Sequence, residues 1–592
     1  VSRRTRRTRA AINASPPVGL QLLSNPWLPA AILTVALFIL LVWVRRIGDF
    51  GVETDFYGTY APGARDIGQG HVDSRRYGVT GPLYEFVLAF GMLLRIPVFP
   101  FAKTLSALSI IGALILWTKI ATRIFGDRVG RWVPWLLILS PTFVRFGYTA
   151  SSDALYCFLF SWAVFALTQA ENAKASFKSG LVALLAFLTR YQALVFPGFA
   201  FLWWIGKPKA LRLWGLFLIA FPGVLLIGLL ALSLAGVSVP KPDFLYNVHY
   251  EVSKGHVDWD DYLNQAGDRG NPWDVLIKQP GSVLIAALSN LPRHLENEMM
   301  HAAGWALIPF MIAGFAGLFV SAPGRGSALR FACFWLLQFL LLLPTQVSER
   351  YALTQIPLLA VVSAWSLETL AARLRRERVA RAVPFLCVAI LCGLALNVRN
   401  QIAYQKRQPR FLIETAVHVQ SLIHSTDRIM TRKPHLPYLL NCQWVYFPDA
   451  QDLTALRANL TKTPAEYLYY GRSEFTLRPN FRFLFFPPYR PAGWDVVRSD
   501  PNGVLYRVGQ TFFSSDIPAD DVELRKLEND TLAGNEVPVE EARRLAAFLV
   551  ATERCEQAVS EYERIQKFAP LSNEDEHNLE RCREVVRAKQ NR

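Results

Sequence analysis

Long apolar runs recur along this chain, each ended by a short polar or basic break. The first covers Trp27–Val44, and others fall near 104–123, 131–147, 152–170, 212–236, 301–320, 330–346, 351–369 and 383–399. Each approaches the roughly 20 residues that a helix needs to cross a hydrocarbon layer. Between Gly180 and Ile205 two half-length runs flank Thr189-Arg190-Tyr191-Gln192, which predicts a pair of short helices that enters and returns. Pro82–Pro97 carries Glu85 and Arg95 and reads as a helix lying at the outer interface. Counting the pair as two gives about eleven spans. Beyond Asn400 the pattern changes. Alternation in Phe481–Phe486 and Gly503–Val508 predicts strands, while Leu412–His424 and Asp452–Leu460 keep helical spacing. Both periods together predict a small α/β domain over 401–510.

Composition agrees with a membrane protein that carries a soluble part. At 592 residues, 52% hydrophobic, the chain is too apolar for one soluble domain. The net charge of +16 raises nucleic acid as a partner, but the cations sit in short clusters between apolar runs, which is a topology signal and excludes that class. Arg3, Arg4, Arg6, Arg7 and Arg9 open a basic segment, 1–26, before the first run. No small-residue cleavage site follows, so a retained anchor with a cytoplasmic N-terminus is expected. The clusters Arg123/Arg128/Arg131, Lys174/Lys178, Lys207/Lys209/Arg212, Arg325/Arg330 and Arg373–Arg381 then all fall inside, and Arg45 and Arg46 are the main exception. The membrane domain is 27–400, with outer loops 47–103 and 237–300, and the chain after Asn400 lies outside. The seven cysteines show no metal-ligand spacing.

This topology gathers charge on one side. Glu53 and Asp55 follow the first span; Asp153, Arg190 with Tyr191, and Glu349-Arg350-Tyr351 lie at outer helix ends. Charged groups beside lipid are unfavourable unless they face water, protein or a substrate, so these are the candidate site. Asp153 has two further readings, pairing with an arginine or capping its helix. Arg75 and Arg76 are candidate contacts for a lipid phosphate. His301 reads as a packed or interfacial histidine.

The terminal segment 535–592 carries Leu545-Ala546-Ala547-Phe548, Ala558, Tyr562 and Pro570, which resemble one tetratricopeptide repeat and the first helix of another. A packed hairpin and a partner-binding module remain open. Cys555 and Cys582 lie on its two helices, in a compartment that permits a bridge between them.

Asp55-Phe56-Tyr57-Gly58-Thr59-Tyr60-Ala61-Pro62-Gly63-Ala64-Arg65-Asp66-Ile67, then Gly81-Pro82-Leu83-Tyr84, Ser151-Ser152-Asp153-Ala154-Leu155, Leu188-Thr189-Arg190-Tyr191 and Glu349-Arg350-Tyr351 together resemble the GT-C glycosyltransferases. The branch most resembled is that of protein O-mannosyltransferases and lipid A aminoarabinose transferases, over residues 25–400. The resemblance implies a bacterial-type inner-membrane enzyme that moves a sugar, with inversion, from a polyprenyl-phosphate carrier to a glycan, lipid or protein hydroxyl on the outer, periplasmic face. It implies no cofactor and no catalytic metal. Asp55 is then the general base, because an acceptor hydroxyl is a poor nucleophile until its proton is taken. A lipid phosphate leaves as a stabilised anion, so arginines replace the second carboxyl group that a glycosidase needs. Arg350 is the first candidate. Glu53, Asp153, Arg190, Tyr191, Glu349 and Tyr351 are expected to bind substrate.

Two departures leave the donor open: Asp55 is followed by Phe56 where aminoarabinose transferases show Asp-Glu, and Gly81 precedes Pro82 where they carry lysine. Three rival functions are weighed. A lipid-linked sugar flippase would show repeated halves and midplane charges. A non-catalytic scaffold would present the C-terminal domain to a partner. An oligosaccharyltransferase would carry a WWDYG-like motif.

Overall fold

The computed structural model describes residues 27–43, 53–236, 245–253, 259–264, 272–373, 376–406, 410–487, 493–514, 539–551 and 554–590, with a few isolated positions between them. The basic N-terminus, Arg45 and Arg46 lie outside the described residues. The chain forms two compact units: Val1–His256 with Asp268–Gln408, and Val257–Gly267 with Pro409–Arg592.

The first unit is helical. Among the described residues, Val98–Phe125, Ala210–Leu234, Arg325–Leu342 and Ile356–Arg373 are long and apolar enough to cross a membrane. A fifth crossing is present if Pro280–Ala303 and Ile308–Leu318, bent by 117°, count as one. Leu28–Trp43 and Ser152–Thr168 are shorter apolar helices on two further predicted runs. The run 131–147 is broken into Trp132–Leu139 and Pro141–Phe146. Pro141 has no N–H and opens the second piece, whose Phe143 N–H is capped by Ser140 Oγ at 3.1 Å. The predicted pair of short helices has unequal arms, Ala173–Thr189 and Phe196–Trp204. The first is longer than expected because Ser176 and Ser179 satisfy their hydroxyls on the Leu213 and Ser176 carbonyls, so a polar stretch stays helical inside the bundle. Leu83–Leu93 has 11 residues, about 16 Å of helix, half of what a crossing requires.

The second unit contains a five-stranded sheet of order β2-β1-β3-β5-β4. Arg428–Thr431 (β1), Gln443–Tyr446 (β2) and Tyr467–Gly471 (β3) are parallel, and Trp494–Asp500 (β4) and Gly503–Val508 (β5) close it as an antiparallel hairpin. The helices Leu453–Lys462 and Phe411–Val419 occupy predicted positions, as does β5. The strand expected at 481–486 is instead a 3-10 turn, Pro479–Phe485. Pro479 removes a ladder donor, and Phe481, Phe483 and Leu484 are all buried on one side, so the apparent alternation is that of a turn folded under the sheet. Tyr506 Oη donates to the Leu484 carbonyl at 2.7 Å in place of a ladder bond.

A segment of the loop 237–300 belongs to this second unit. Helix Trp259–Asn264 brings two carboxylates to the carboxyl ends of β1, β2 and β3. Asp261 Oδ1 accepts from Arg478 at 2.9 Å, Tyr446 Oη at 2.8 Å and the Asp449 N–H at 3.1 Å. Asp260 Oδ2 pairs with Arg432 at 2.5 Å and Lys433 at 2.8 Å. Carboxyl ends of parallel strands are where α/β sheets take ligands, and here the chain's own carboxylates fill that place.

At the C-terminus Val539–Ala551, Cys555–Gln566 and Asn573–Gln590 pack around Leu545, Leu549, Tyr562, Ile565 and Leu579. The Cys582 thiol donates to Cys555 Sγ at 2.7 Å.

Candidate active site

Asp55 stands at the entry to Phe56–Tyr60, a single π-helical turn whose Phe56, Tyr57 and Tyr60 are buried. Tyr57 stacks on Phe99 at 5.8 Å and meets Phe56 edge-on at 5.2 Å. Those rings fix the backbone, so the loop holds its shape while Asp55 keeps 35% of its side chain exposed. Glu53 points inward. It is buried, pairs with Lys103 and accepts from the Ala150 N–H at 2.6 Å. Lys103 is a lone cation near the start of an apolar crossing helix. The acidic pair of the sequence therefore divides, with Glu53 anchoring the loop and Asp55 left at the surface.

Arg190 is held in extended backbone between helix Ala173–Thr189 and the turn Tyr191–Val195. Gly81 makes this possible: a Cβ there would lie 2.1 Å from the Leu188 carbonyl oxygen, so only glycine lets the outer loop reach that helix end. Arg350 comes from the short helix Glu349–Ala352. Asp153 lies in the first turn of Ser152–Thr168, where the helix dipole favours a carboxylate. Ser151 takes the cap position, so capping is not what Asp153 does.

These four side chains meet in alternating charge. Arg350 donates to Asp55 Oδ2 at 2.8 Å and to Asp153 Oδ2 at 3.1 Å, and Arg190 donates to Asp153 Oδ1. Exposure rises from 1% at Asp153 through 17% at Arg350 to 35% at Asp55. Burial opposes the charge of Arg350, but Asp153 and Asp55 outweigh it and hold the guanidinium well above its ordinary range. Burial, then the Asp55 charge, pushes the Tyr60 hydroxyl up to about 12, and that hydroxyl bonds Ser152 Oγ at 2.9 Å. One partly exposed carboxylate thus ends a chain of ion pairs whose other members are largely buried.

A cavity of about 400 Å³ opens at Arg190, lined among others by Tyr191, Tyr246 and Tyr351 and by Leu194, Leu341 and Leu342. Tyr351 Oη accepts from Asn247 Nδ2 at 2.9 Å, and Tyr191 Oη donates to the Tyr77 carbonyl. Glu349 does not line this cavity. It accepts from Arg145 at 3.2 Å and from Thr142 at 3.1 Å, and the Arg145 guanidinium lies over the Tyr404 ring at 4.1 Å. Arg145, absent from the sequence expectations, braces the residue next to Arg350. A basic residue seven positions before Asp153's helix, inside an apolar run, was the signal available for it. Arg76 pairs with Asp66 at 2.6 Å, away from the cluster, and the Arg75 side chain lies outside the described residues. Among the described residues no group of three His, Cys, Asp or Glu side chains could hold a metal ion.

The fold is similar to that of two solved proteins. The structure of ArnT from Cupriavidus metallidurans bound to undecaprenyl phosphate is similar over 83% of this chain and 99% of that one, at 15% identity and a TM-score of 0.53. The archaeal oligosaccharyltransferase AglB from Archaeoglobus fulgidus, in complex with an inhibitory peptide and a dolichol-phosphate, is similar over 83% of this chain and 75% of that one, at 12% identity and a TM-score of 0.50. No family model matches the sequence. No curated protein matches it either. The chain is a multi-pass membrane protein of this fold.

Proposed function

We propose that this chain is a membrane glycosyltransferase that moves one sugar from a polyprenyl-phosphate carrier to an acceptor hydroxyl on the outer face, with inversion. The observation that carries this reading is Asp55, a partly exposed carboxylate gripped by Arg350 and joined through Asp153 to Arg190, which lines a cavity with leucines in its wall. Two proteins of similar fold hold polyprenyl phosphates, undecaprenyl phosphate in one and a dolichol-phosphate in the other. The cavity suits the same ligand class, since Leu194, Leu341 and Leu342 would meet isoprene units while Arg190 meets the phosphate.

In the proposed step Asp55 takes the acceptor hydroxyl proton as the oxygen attacks the anomeric carbon, and the bond from that carbon to the phosphate oxygen breaks on the opposite side. The polyprenyl phosphate leaves with the electron pair, and Arg190 and Arg350 stabilise the charge that develops on it. Asp153, which accepts from both arginines, is a positioning residue. The sugar and the acceptor class are not specified by these residues, and no metal or cofactor is assigned a role.

The test is lipid and glycan mass analysis of cells in which Asp55→Asn replaces the wild-type chain, with Arg350→Ala beside it. Build-up of one polyprenyl-phosphate sugar and of an acceptor lacking that sugar is expected in both. No change in either pool would overturn the reading and favour a scaffold; build-up on the inner leaflet only would favour a flippase.

A further inference from the structure

A second cavity lies away from the Asp55 cluster. Helix Val98–Phe125 has 28 residues, about 42 Å of length, enough to reach both faces of the hydrocarbon layer. Near its start Lys103 pairs with Glu53, beside the candidate active site. At its other end a cavity of about 710 Å³ opens between the beginning of Leu28–Trp43 and the ends of Val98–Phe125 and Ser152–Thr168.

Its chemistry is divided in the manner of an amphiphile. Lys119, Arg123 and Arg131 are in its lining, with Asp127 as the opposing charge, together with the apolar Trp27, Leu114, Ile115 and Phe165. Lys119 and Arg123 are one helical turn apart and so share a face. Among the described residues none of the three cations forms an ion pair. The Arg123 guanidinium packs over the Phe165 ring at 5.7 Å. That contact sets its plane without neutralising it. Allowing for Asp127, two positive charges remain uncompensated in a cavity whose other walls are apolar.

We infer that this cavity is a binding site for the headgroup of an anionic phospholipid, at the membrane face opposite Asp55. Lys119 and Arg123 hold the phosphate, Arg131 adds a third cation at the rim, and the first acyl carbons run along Trp27 and Phe165. Basic pockets between spanning helices take anionic headgroups by this combination of charge and apolar wall. The alternative for such cations is to snorkel into bulk headgroups with no fixed partner. A walled cavity with one ring-stacked arginine distinguishes the two, because a bulk interface offers no enclosure. The occupant is committed to a phospholipid, since the polyprenyl-phosphate cavity proposed above lies at the other end of the helix.

The test is lipid retention, which needs no transfer assay and so fails or succeeds apart from the proposed activity. The full chain is purified in mild detergent and titrated with phosphatidylglycerol, phosphatidylcholine or undecaprenyl phosphate while native mass spectra and Trp27 fluorescence are read. One phosphatidylglycerol per chain is expected to outlast phosphatidylcholine. Lys119→Gln and Arg123→Gln should each weaken it about five-fold, and Asp127→Asn should tighten it. Arg212→Gln, an exposed basic substitution outside the cavity, should leave retention unchanged. Equal retention of the neutral and anionic phospholipids, equal loss in Arg212→Gln, or saturation by undecaprenyl phosphate alone would overturn the inference.

Discussion

Two clusters of carboxylates and guanidinium groups organise this molecule, and they differ in one respect. In the membrane unit Asp55, Arg350, Asp153 and Arg190 form a chain of alternating charge with one end open to solvent. In the soluble unit Asp260 and Asp261 meet Arg432, Lys433 and Arg478, and the Asp261–Arg478 pair is 2% and 1% exposed. The sealed cluster has no free carboxylate face to offer a reactant, so its task is to hold two segments together. The open cluster leaves Asp55 on the solvent side of Arg350, where a substrate group can reach its free oxygen. The same pairing chemistry therefore serves opposite ends, decided by which member is left partly exposed.

Substitutions should separate the two. Asp55→Asn is expected to lower transfer by about two to four orders of magnitude while the melting temperature of the purified protein stays near wild type; a matching fall in melting temperature would make Asp55 a structural residue like Asp261. Asp261→Ala should do the reverse. Leaving Arg478 buried without its carboxylate is expected to destabilise the soluble unit by about 3–5 kcal/mol, read by denaturant unfolding, with transfer per folded molecule largely retained.

Glu85 tests a buried carboxyl outside both clusters. Burial raises it from 4.5 to about 7, against the opposing effect of the Tyr77 hydroxyl, which donates to Glu85 Oε2 at 3.0 Å. Its folded form binds the proton more tightly than its unfolded form, so its contribution to stability is complete below about pH 4.5 and is lost as pH rises through 7. Glu85→Gln keeps an acceptor for Tyr77 and should stabilise the protein at pH 8 by on the order of 3 kcal/mol, with little difference at pH 4.5. Melting curves at both pH values for the two proteins decide it.

The smallest effect concerns the brace beside Arg350. Arg145→Met is expected to reduce kcat/KM by about ten-fold, on the scale of one lost charge-assisted hydrogen bond, chiefly through a higher KM for the lipid-linked donor. Arg145→Lys should recover part of it, and an unchanged donor KM in Arg145→Met would remove the positioning role.

How much of this was legible beforehand follows from chain distance. Crossing helices such as Val98–Phe125 and Ile356–Arg373 are local patterns and could be read. So could the gathering of Asp55, Asp153, Arg190 and Arg350 on one side, because the positive-inside asymmetry fixes sides without contacts. What that asymmetry cannot fix is pairing. Glu53 and Lys103 are 50 residues apart and Arg145 and Glu349 are 204 apart, and both were missed, although Lys103, a cation in the first turns of an apolar helix and far from the cations at its other end, was open to suspicion. The false strand at 481–486 failed for a different reason. Alternating aromatics there satisfy a turn under the sheet as well as they satisfy a strand, and only Pro479 argued for the turn.

The membership of Trp259–Asn264 in the soluble unit constrains biogenesis. A segment packed with the chain after Pro409 must lie on the same side of the membrane, so the polypeptide between residues 268 and 408 crosses an even number of times. The soluble unit also cannot be completed in order of synthesis, since its first piece emerges long before the strands that receive it and waits while the intervening helices insert. Excision at residue 409 would yield a tail in which Arg478 loses Asp261 and Arg432 keeps Glu474 but loses Asp260. The folding unit and the gene segment that encodes the tail are therefore not the same object.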